Sequence, residues 1–152
     1  MKRFAKKAVL IGKEYVRRIT MKKVFALSAV LLALAFEIMP YGAVCNFMTP
    51  PGEPPLRETY SYFSLTPFGY ANFAPFIVAI LTCVLLVLVV IYIFVGQRMR
   101  FPVLCVAALA ALLSLAPLLL GIAFYSFFGF LITLCLIVTT VLVLMDREKW
   151  EN

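Results

Sequence analysis

The stretch PVLCVAALAALLSLAPLLLGIAFYSFFGFLITLCLIVTTVLVLM, residues 102–145, runs for 44 residues without one charged side chain. A helix needs about 20 apolar residues to cross the hydrocarbon core of a bilayer, so this stretch is long enough for two membrane-spanning helices. Gly121 and Gly129 favour a tight reversal of the chain between them. We therefore predict one span at residues 102–121 and another at residues 127–145.

Two further apolar stretches precede this one, at residues 24–45 and residues 73–95, and the second contains the unbroken run VLLVLVVI at Val84–Ile91. Both are continuously apolar, whereas the strands of a membrane β-barrel alternate between apolar and polar residues. The sequence thus predicts an all-α fold, an integral membrane four-helix bundle. The predicted connections are an outer loop at 46–72, a cytoplasmic loop at 96–101 and a cytoplasmic tail at 146–152.

The composition supports a membrane protein and argues against several classes of site. Hydrophobic residues form 64% of the chain and charged residues 14%, against about 45–50% and about 25% in soluble globular proteins. There is no histidine, and the four cysteines form no C-x-x-C pair, which argues against zinc sites and a disulfide scaffold. We expect the lipid bilayer as a partner and no metal, cofactor, catalytic residue or enzymatic activity.

The basic residues predict the orientation in the membrane. With four spans both termini lie on one side, and that side carries every Lys and Arg of the chain except Arg57. Loops rich in Lys and Arg remain in the cytoplasm. We therefore expect a multi-pass protein of a bacterial-type plasma (inner) membrane, with both termini cytoplasmic.

Residues 1–20 predict a basic amphipathic helix on the membrane surface, because apolar residues recur at helical spacing between basic ones. Each Lys or Arg near an anionic surface contributes about 1 kcal/mol to binding, so we expect anionic lipid headgroups, and no nucleic acid, as the partner. A second interpretation places the true start at Met21. The basic surface residues are Lys2, Arg3, Lys6, Lys7, Lys13, Arg17, Arg18, Lys22 and Lys23.

The first span has an alternative interpretation as a signal peptide. Lys22 and Lys23, followed by apolar residues 24–36, resemble a charged n-region and an h-region. No A-x-A site follows at a suitable distance, and Val44 stands where a lipoprotein signal needs a small residue before Cys45. We expect the span to be retained, since cleavage would leave three spans.

Glu37 is the one ionisable side chain inside a predicted span. A carboxylate buried in lipid is costly, so Glu37 should be protonated, paired, or exposed to a water-filled cavity. Pro40 cannot donate to the carbonyl group of Phe36, which should kink the helix. Glu37 and Pro40 thus form a candidate intramembrane proton or cation site. The alternative is that the helix ends near Pro40 and Glu37 lies at the outer interface.

Four short spans with a single Glu in the first resemble the small multidrug resistance transporters, and residues Ala33–Glu37 carry the likeness. In that family the acid exchanges protons for drug cations, so the resemblance implies the same role for Glu37. This chain departs from the family because it has a long outer loop and a basic N-terminal segment. It also lacks the pattern of glycine and aromatic residues expected around the acid.

Two other features predict contact surfaces. Small residues at helical spacing on the third span favour close helix packing, within the chain or in a dimer. The prolines and aromatic residues of the outer loop predict an extended chain whose rings either pack on the mouth of the bundle or recognise a partner. The packing interpretation is the favoured one in both cases. The small residues are Ala107, Ala111, Ser114 and Gly121.

These features together predict a small polytopic membrane protein that acts as a non-catalytic structural or accessory subunit. Its partner would be another membrane protein or a second copy of the chain. The alternative is a proton- or cation-coupled small transporter or channel that uses Glu37. An intramembrane enzyme is disfavoured because catalysis usually needs several converging polar side chains, and only Glu37 qualifies.

Overall fold

The computed structural model describes residues 21–52, 54, 56–70 and 72–146. Within this part the chain is mostly helical. The predicted surface helix at 1–20 and the tail beyond Asp146 lie outside the described residues. The helices are α1 (Met21–Ile38), α2 (Leu65–Gly69), α3 (Ala74–Val95), α4 (Arg100–Ser114), α5 (Pro117–Leu120) and α6 (Phe127–Met145). The strands are β1 (Ala43–Phe47) and β2 (Leu56–Tyr60), and single 3-10 turns lie at Gln97–Met99 and Ile122–Phe124.

Among the described residues, three helical segments are long and apolar enough to cross a membrane: Ala74–Val95, Gln97–Leu120 and Phe127–Met145. They overlap the second, third and fourth spans expected from the sequence, and they support a multi-pass membrane protein. The segment Gln97–Leu120 is interrupted before Pro117, where α4 gives way to α5. Pro117 has no N–H for the carbonyl group of Leu113, and Ala116 donates to that carbonyl instead, at 3.0 Å.

The first helix is shorter than the sequence analysis expected. α1 ends at Ile38 rather than at Cys45, and residues 39–42 turn the chain into β1. Pro40 explains the difference, because it lacks the N–H that would continue the helix. The structure thus agrees with the alternative in which the helix ends near Pro40.

The segment after α1 forms an antiparallel hairpin, a local feature that the prediction of an all-α fold did not include. β1 pairs with β2 from Ala43 opposite Tyr60 to Phe47 opposite Leu56. Backbone groups of a chain that has left a helix still need partners, and β-branched and aromatic residues such as Val44 and Tyr60 favour strands. Between the strands Gly52 adopts a φ of +102°, which suits glycine.

The core lies where four helices meet. α1 packs against α3 and α6, and α4 packs against the same two helices. β1 and β2 cover one end of this packed unit, which we name the hairpin end; the opposite end contains the first residues of α1, and we name it the Lys23 end. The fully buried core residues include Val30, Val78, Leu85, Val89, Val103, Ala107, Ile132 and Leu136.

Candidate functional site

Glu37 lies in the last turn of α1 at the hairpin end and its side chain is 0% exposed. The hydroxyl group of Thr82 on α3 lies 2.8 Å from its Oε1 atom. Its Oε2 atom is buried and has no hydrogen-bond partner in the part of the chain that the structure describes. The carboxyl group is therefore enclosed between α1 and α3, with one oxygen bonded and the other without a donor.

The position of Thr82 bears on the protonation state of Glu37. Thr82 Oγ1 also lies 2.9 Å from the carbonyl oxygen of Val78, one turn earlier on α3. A hydroxyl group has one hydrogen, so it can donate to only one of these two oxygens. Both contacts are satisfied together when Thr82 donates to Val78 and the Glu37 carboxyl group donates to Thr82. This arrangement requires a protonated, neutral Glu37.

Tyr62 closes the hairpin end above Glu37. Its backbone N–H donates to the backbone carbonyl of Glu37 at 2.9 Å, and its side chain is fully buried. The ring lies against Gly42: a Cβ atom built on Gly42 would be 2.8 Å from Tyr62 Cδ1. Only a glycine permits this close approach, so Gly42 allows Tyr62 to cover the end of α1. Burial raises the pKa of the Tyr62 hydroxyl above its usual range.

Ser126 ties α6 to the same region. It is the N-cap of α6, and its Oγ atom accepts a hydrogen bond from the Gly129 N–H at 2.9 Å. The same hydroxyl group donates to the carbonyl oxygen of Gly42. Tyr62 and Ser126 thus attach the turn after α1 to the hairpin and to α6.

Pro40, the second residue of the predicted proton or cation site, is exposed and supplies no polar group to it. Its effect is to end α1 at Ile38, one residue beyond Glu37. The residues that surround Glu37 are instead Thr82 and Tyr62. Sequence reasoning missed both, although Thr82 is one of only two polar side chains among the otherwise apolar residues 74–95, the other being Tyr92.

A second buried polar cluster lies at the Lys23 end. Lys23 was expected on the membrane surface, but its side chain is 1% exposed and its Nζ atom lies 4.8 Å from the centroid of the Tyr92 ring. The Tyr92 hydroxyl donates to Asp146 Oδ2 at 2.6 Å, and the Gln97 side chain donates to the Asp146 carbonyl at 2.8 Å. The expectation for Lys23 is wrong because its position on α1 faces the core.

Basic side chains also cap the last turn of α6. Lys22 is exposed and its Nζ donates to the carbonyl of Met145 at 2.7 Å. Arg100 donates to the carbonyl oxygens of Val143 and Leu144 at 3.0 and 2.7 Å. Cations are favourable at the carbonyl end of a helix, so these bonds stabilise the end of α6. The other seven predicted surface cations, at positions 2 to 18, lie outside the described residues.

The predicted small-residue face on α4 is largely covered by the chain itself. Ala107, Ala111 and Ser114 are buried, and Ala110, which is not one of the predicted residues, is buried with them. Gly121 is not part of this face. It follows α5 with a φ of +122°, and a Cβ atom there would meet nothing within 4 Å. Gly121 therefore serves the turn of the backbone and not helix packing.

The outer surface of the hairpin is exposed. All of β2 except Tyr60 is exposed, and Phe47 and Tyr70 pack edge to face with ring centroids 4.9 Å apart. The Tyr60 hydroxyl donates to the Glu58 carboxylate, which raises the pKa of Tyr60 from 10.0 to about 12. The rings that stay exposed here include Tyr41, Phe68, Tyr70 and Phe73.

Within the described residues, no group of three or more His, Cys, Asp or Glu side chains is placed to hold a metal ion. Comparison of the chain with protein-family models, with curated proteins and with solved structures finds no match.

Proposed function

We propose that this chain is a small multi-pass protein of the plasma membrane that acts as a non-catalytic structural or accessory subunit. The observation that carries the proposal is that buried polar side chains form hydrogen bonds between distant segments of the chain. Glu37 bonds Thr82, Tyr92 bonds Asp146, and Ser126 bonds Gly42, and these pairs are 45, 54 and 84 residues apart in sequence. Each pair holds distant segments together, as a structural role requires.

We infer four spans, with α1 as the first, and both termini in the cytoplasm. An 18-residue helix is about 27 Å long, close to the hydrocarbon thickness of about 30 Å. α1 packs against α3 and α6 and buries Lys23, Ala33 and Glu37. Cleavage as a signal peptide would leave Thr82 and Tyr92 without these neighbours, which supports retention of the helix.

The hairpin end is the proposed surface for a membrane-protein partner. Of the two surfaces that the sequence predicts, the small-residue face of α4 is covered by the chain's own helices. The hairpin presents exposed strand β2 and exposed aromatic rings, which are common in protein interfaces. These features support contact with the outer portion of a second membrane protein.

Co-purification in mild detergent tests the accessory role. We expect the chain to be isolated with a fixed partner, and Leu56→Ala on β2 to weaken that association. Leu144→Ala is the matched control, because it removes the same atoms from an exposed leucine near the Lys23 end. A chain that always purifies alone, or a partner that is retained equally by both variants, would contradict the proposal.

A second candidate function is a proton- or cation-coupled transporter that uses Glu37. The observation in its favour is the buried Oε2 atom without a hydrogen-bond partner among the described residues. A site that exchanges a proton needs an oxygen atom whose hydrogen-bonding capacity is not already used. Vesicles containing the purified chain should then show proton-linked flux that Glu37→Gln abolishes while the helical content is unchanged. Equal flux with both proteins would eliminate this candidate.

A further inference from the structure

Among the described residues of the hairpin end, Glu37 is the one buried carboxyl group. Glu37 lies one residue before the end of α1, and Tyr62 covers that end through its bond to the Glu37 carbonyl and its contact with Gly42. Tyr62 follows β2 by two residues, so a displacement of its backbone is transmitted to the hairpin through the chain. β1 carries Cys45, whose side chain is buried.

We propose that Glu37 and Thr82 form a binding site for a single proton, and that this proton keeps the hairpin end closed through Tyr62. With the proton bound, Glu37 donates to Thr82 and Thr82 donates to Val78, so each hydrogen has an acceptor. When the proton leaves for bulk water, Thr82 can satisfy either the carboxylate or Val78. The Oε2 atom then bears negative charge with no donor among the described residues.

A buried carboxylate without donors must acquire them from water or from a movement of the protein. Glu37 lies one residue before the end of α1, and Tyr62 packs over that end, so we take the hairpin end as the side from which water would enter. Loss of the proton therefore favours displacement of Tyr62 and, with it, of β1 and β2. The occupied state is closed and the unoccupied state is open.

The ligand is a proton and not a metal ion. One carboxyl group and one hydroxyl group cannot supply the six or more oxygen atoms that hard divalent cations take, and the described residues contain no acidic cluster here. A proton needs only the two oxygen atoms that the structure places 2.8 Å apart.

Few charged or titratable groups face Glu37 from the elements around it. The hairpin side contributes Tyr62, with Tyr125 beyond it, and α3 contributes Cys83. On α6, which packs against α1, the titratable side chain is Cys135. Lys23, Tyr92 and Asp146 lie at the Lys23 end, about 20 Å away along the helix axis. On the hairpin, Arg57 donates to the carbonyl oxygen of Tyr125 at 3.5 Å and Glu58 lies near Cys45. Within the described part of the chain, no cation contacts the Glu37 carboxyl group.

Cys45 reports the closure of the hairpin end. The experiment uses the full chain in phosphatidylcholine vesicles, with Cys83, Cys105 and Cys135 replaced by alanine, and follows labelling of Cys45 by a membrane-impermeant maleimide. The thiol has its own pH dependence, so Glu37→Gln in the same background is the matched control. Glutamine keeps the shape and a buried polar group but cannot lose a proton in this range.

We expect similar labelling rates for the two proteins at about pH 5, and a rate in the Glu37 protein about tenfold above that of Glu37→Gln by about pH 9, as for one proton equilibrium that opens the site. Curves that stay parallel across this range would overturn the proposal. Thr82→Val is the second variant: it removes the hydroxyl group at equal volume and should move the midpoint of the rise along the pH scale.

A purely structural role for Thr82 would instead change the labelling rate by the same factor at every pH, and that result would overturn the shared-proton arrangement. If Glu37→Gln does not fold, the comparison of Thr82→Val with the parent decides the question. The labelling needs no partner protein. A chain that purifies alone would thus contradict the accessory role without affecting this inference. Parallel labelling curves would contradict this inference without affecting the accessory role.

Discussion

At the scale of single residues, the buried stripe along α1 explains why the sequence analysis noticed Glu37 and misplaced Lys23. Its buried members are Lys23, Ala26, Val30, Ala33 and Glu37, three or four residues apart, so one face of the helix packs against the chain and carries an ionisable residue near each end. Glu37 was singled out because it interrupts an apolar run. Lys23 was missed because a lysine next to Lys22 resembles a membrane flank, although its spacing from Ala26 places it on the buried face.

Gly42→Ala should destabilise the chain by about 1–3 kcal/mol, because the added Cβ atom would lie 2.8 Å from Tyr62 Cδ1 and force a buried ring to move. The measurement is the free energy of unfolding in detergent, followed by circular dichroism. Gly69→Ala is the control, since nothing lies within 4 Å of a Cβ atom there. Equal effects of the two substitutions would refute the proposed contact.

Tyr92→Phe should cost about 1–3 kcal/mol of stability, because it removes the hydroxyl group that donates to Asp146 and keeps the ring beneath Lys23. Tyr41→Phe, at an exposed ring, should have little effect. The same unfolding measurement applies to both. A loss of stability that is no larger at position 92 than at position 41 would show that the buried hydrogen bond is unimportant.

At the scale of secondary structure, continuous apolar runs predict the helices well. The structure of the polar connections between them is not predicted by these runs. The second and fourth expected spans differ from α3 and α6 by at most one residue at either end, because about 20 apolar residues leave few alternatives. Pro117 separates α4 from α5. The hairpin was missed because its pairing depends on residues 43–60 folding back over α1, and no alternating pattern in that segment announces it.

The hairpin contains a titratable pair that the sequence does not reveal. Tyr60 donates to Glu58, and the pKa of Tyr60 rises from 10.0 to about 12. Since the protonated hydroxyl is favoured in the folded chain, its contribution to stability is complete below about pH 10 and is lost between about pH 10 and about pH 12. Glu58→Gln should return the pKa of Tyr60 toward its ordinary value, measured by tyrosinate absorbance. An unchanged titration curve would contradict the pairing.

At the scale of the whole molecule, the charge distribution and the packing are the grounds for the four spans that we propose. Length and composition indicate three spans in the described residues, and α1 is not among them although it packs against α3 and α6. α1 contains three ionisable residues, Lys22, Lys23 and Glu37, and two of them are buried by tertiary contacts. Such contacts cannot be read from one segment, so the sequence places the spans but not the polar groups that join them.

The proposed topology can be tested with single cysteines in a chain from which the native cysteines have been removed. Met48→Cys, at a fully exposed position beside the hairpin, should react with an impermeant maleimide in sealed cells. Asn152→Cys should react only after the membrane is permeabilised, because we place that terminus in the cytoplasm. The opposite pattern would reverse the orientation, and reaction at both positions in sealed cells would exclude four spans.

The bond between Tyr92 and Asp146 also constrains how the protein is made. Asp146 leaves the ribosome 54 residues after Tyr92, so the bond between them can form only after α4 and α6 have been made. A ribosome that stalls before codon 146 should therefore release a chain that lacks this link between α3 and the end of α6, and we expect quality-control proteases to degrade that product faster than the full-length chain.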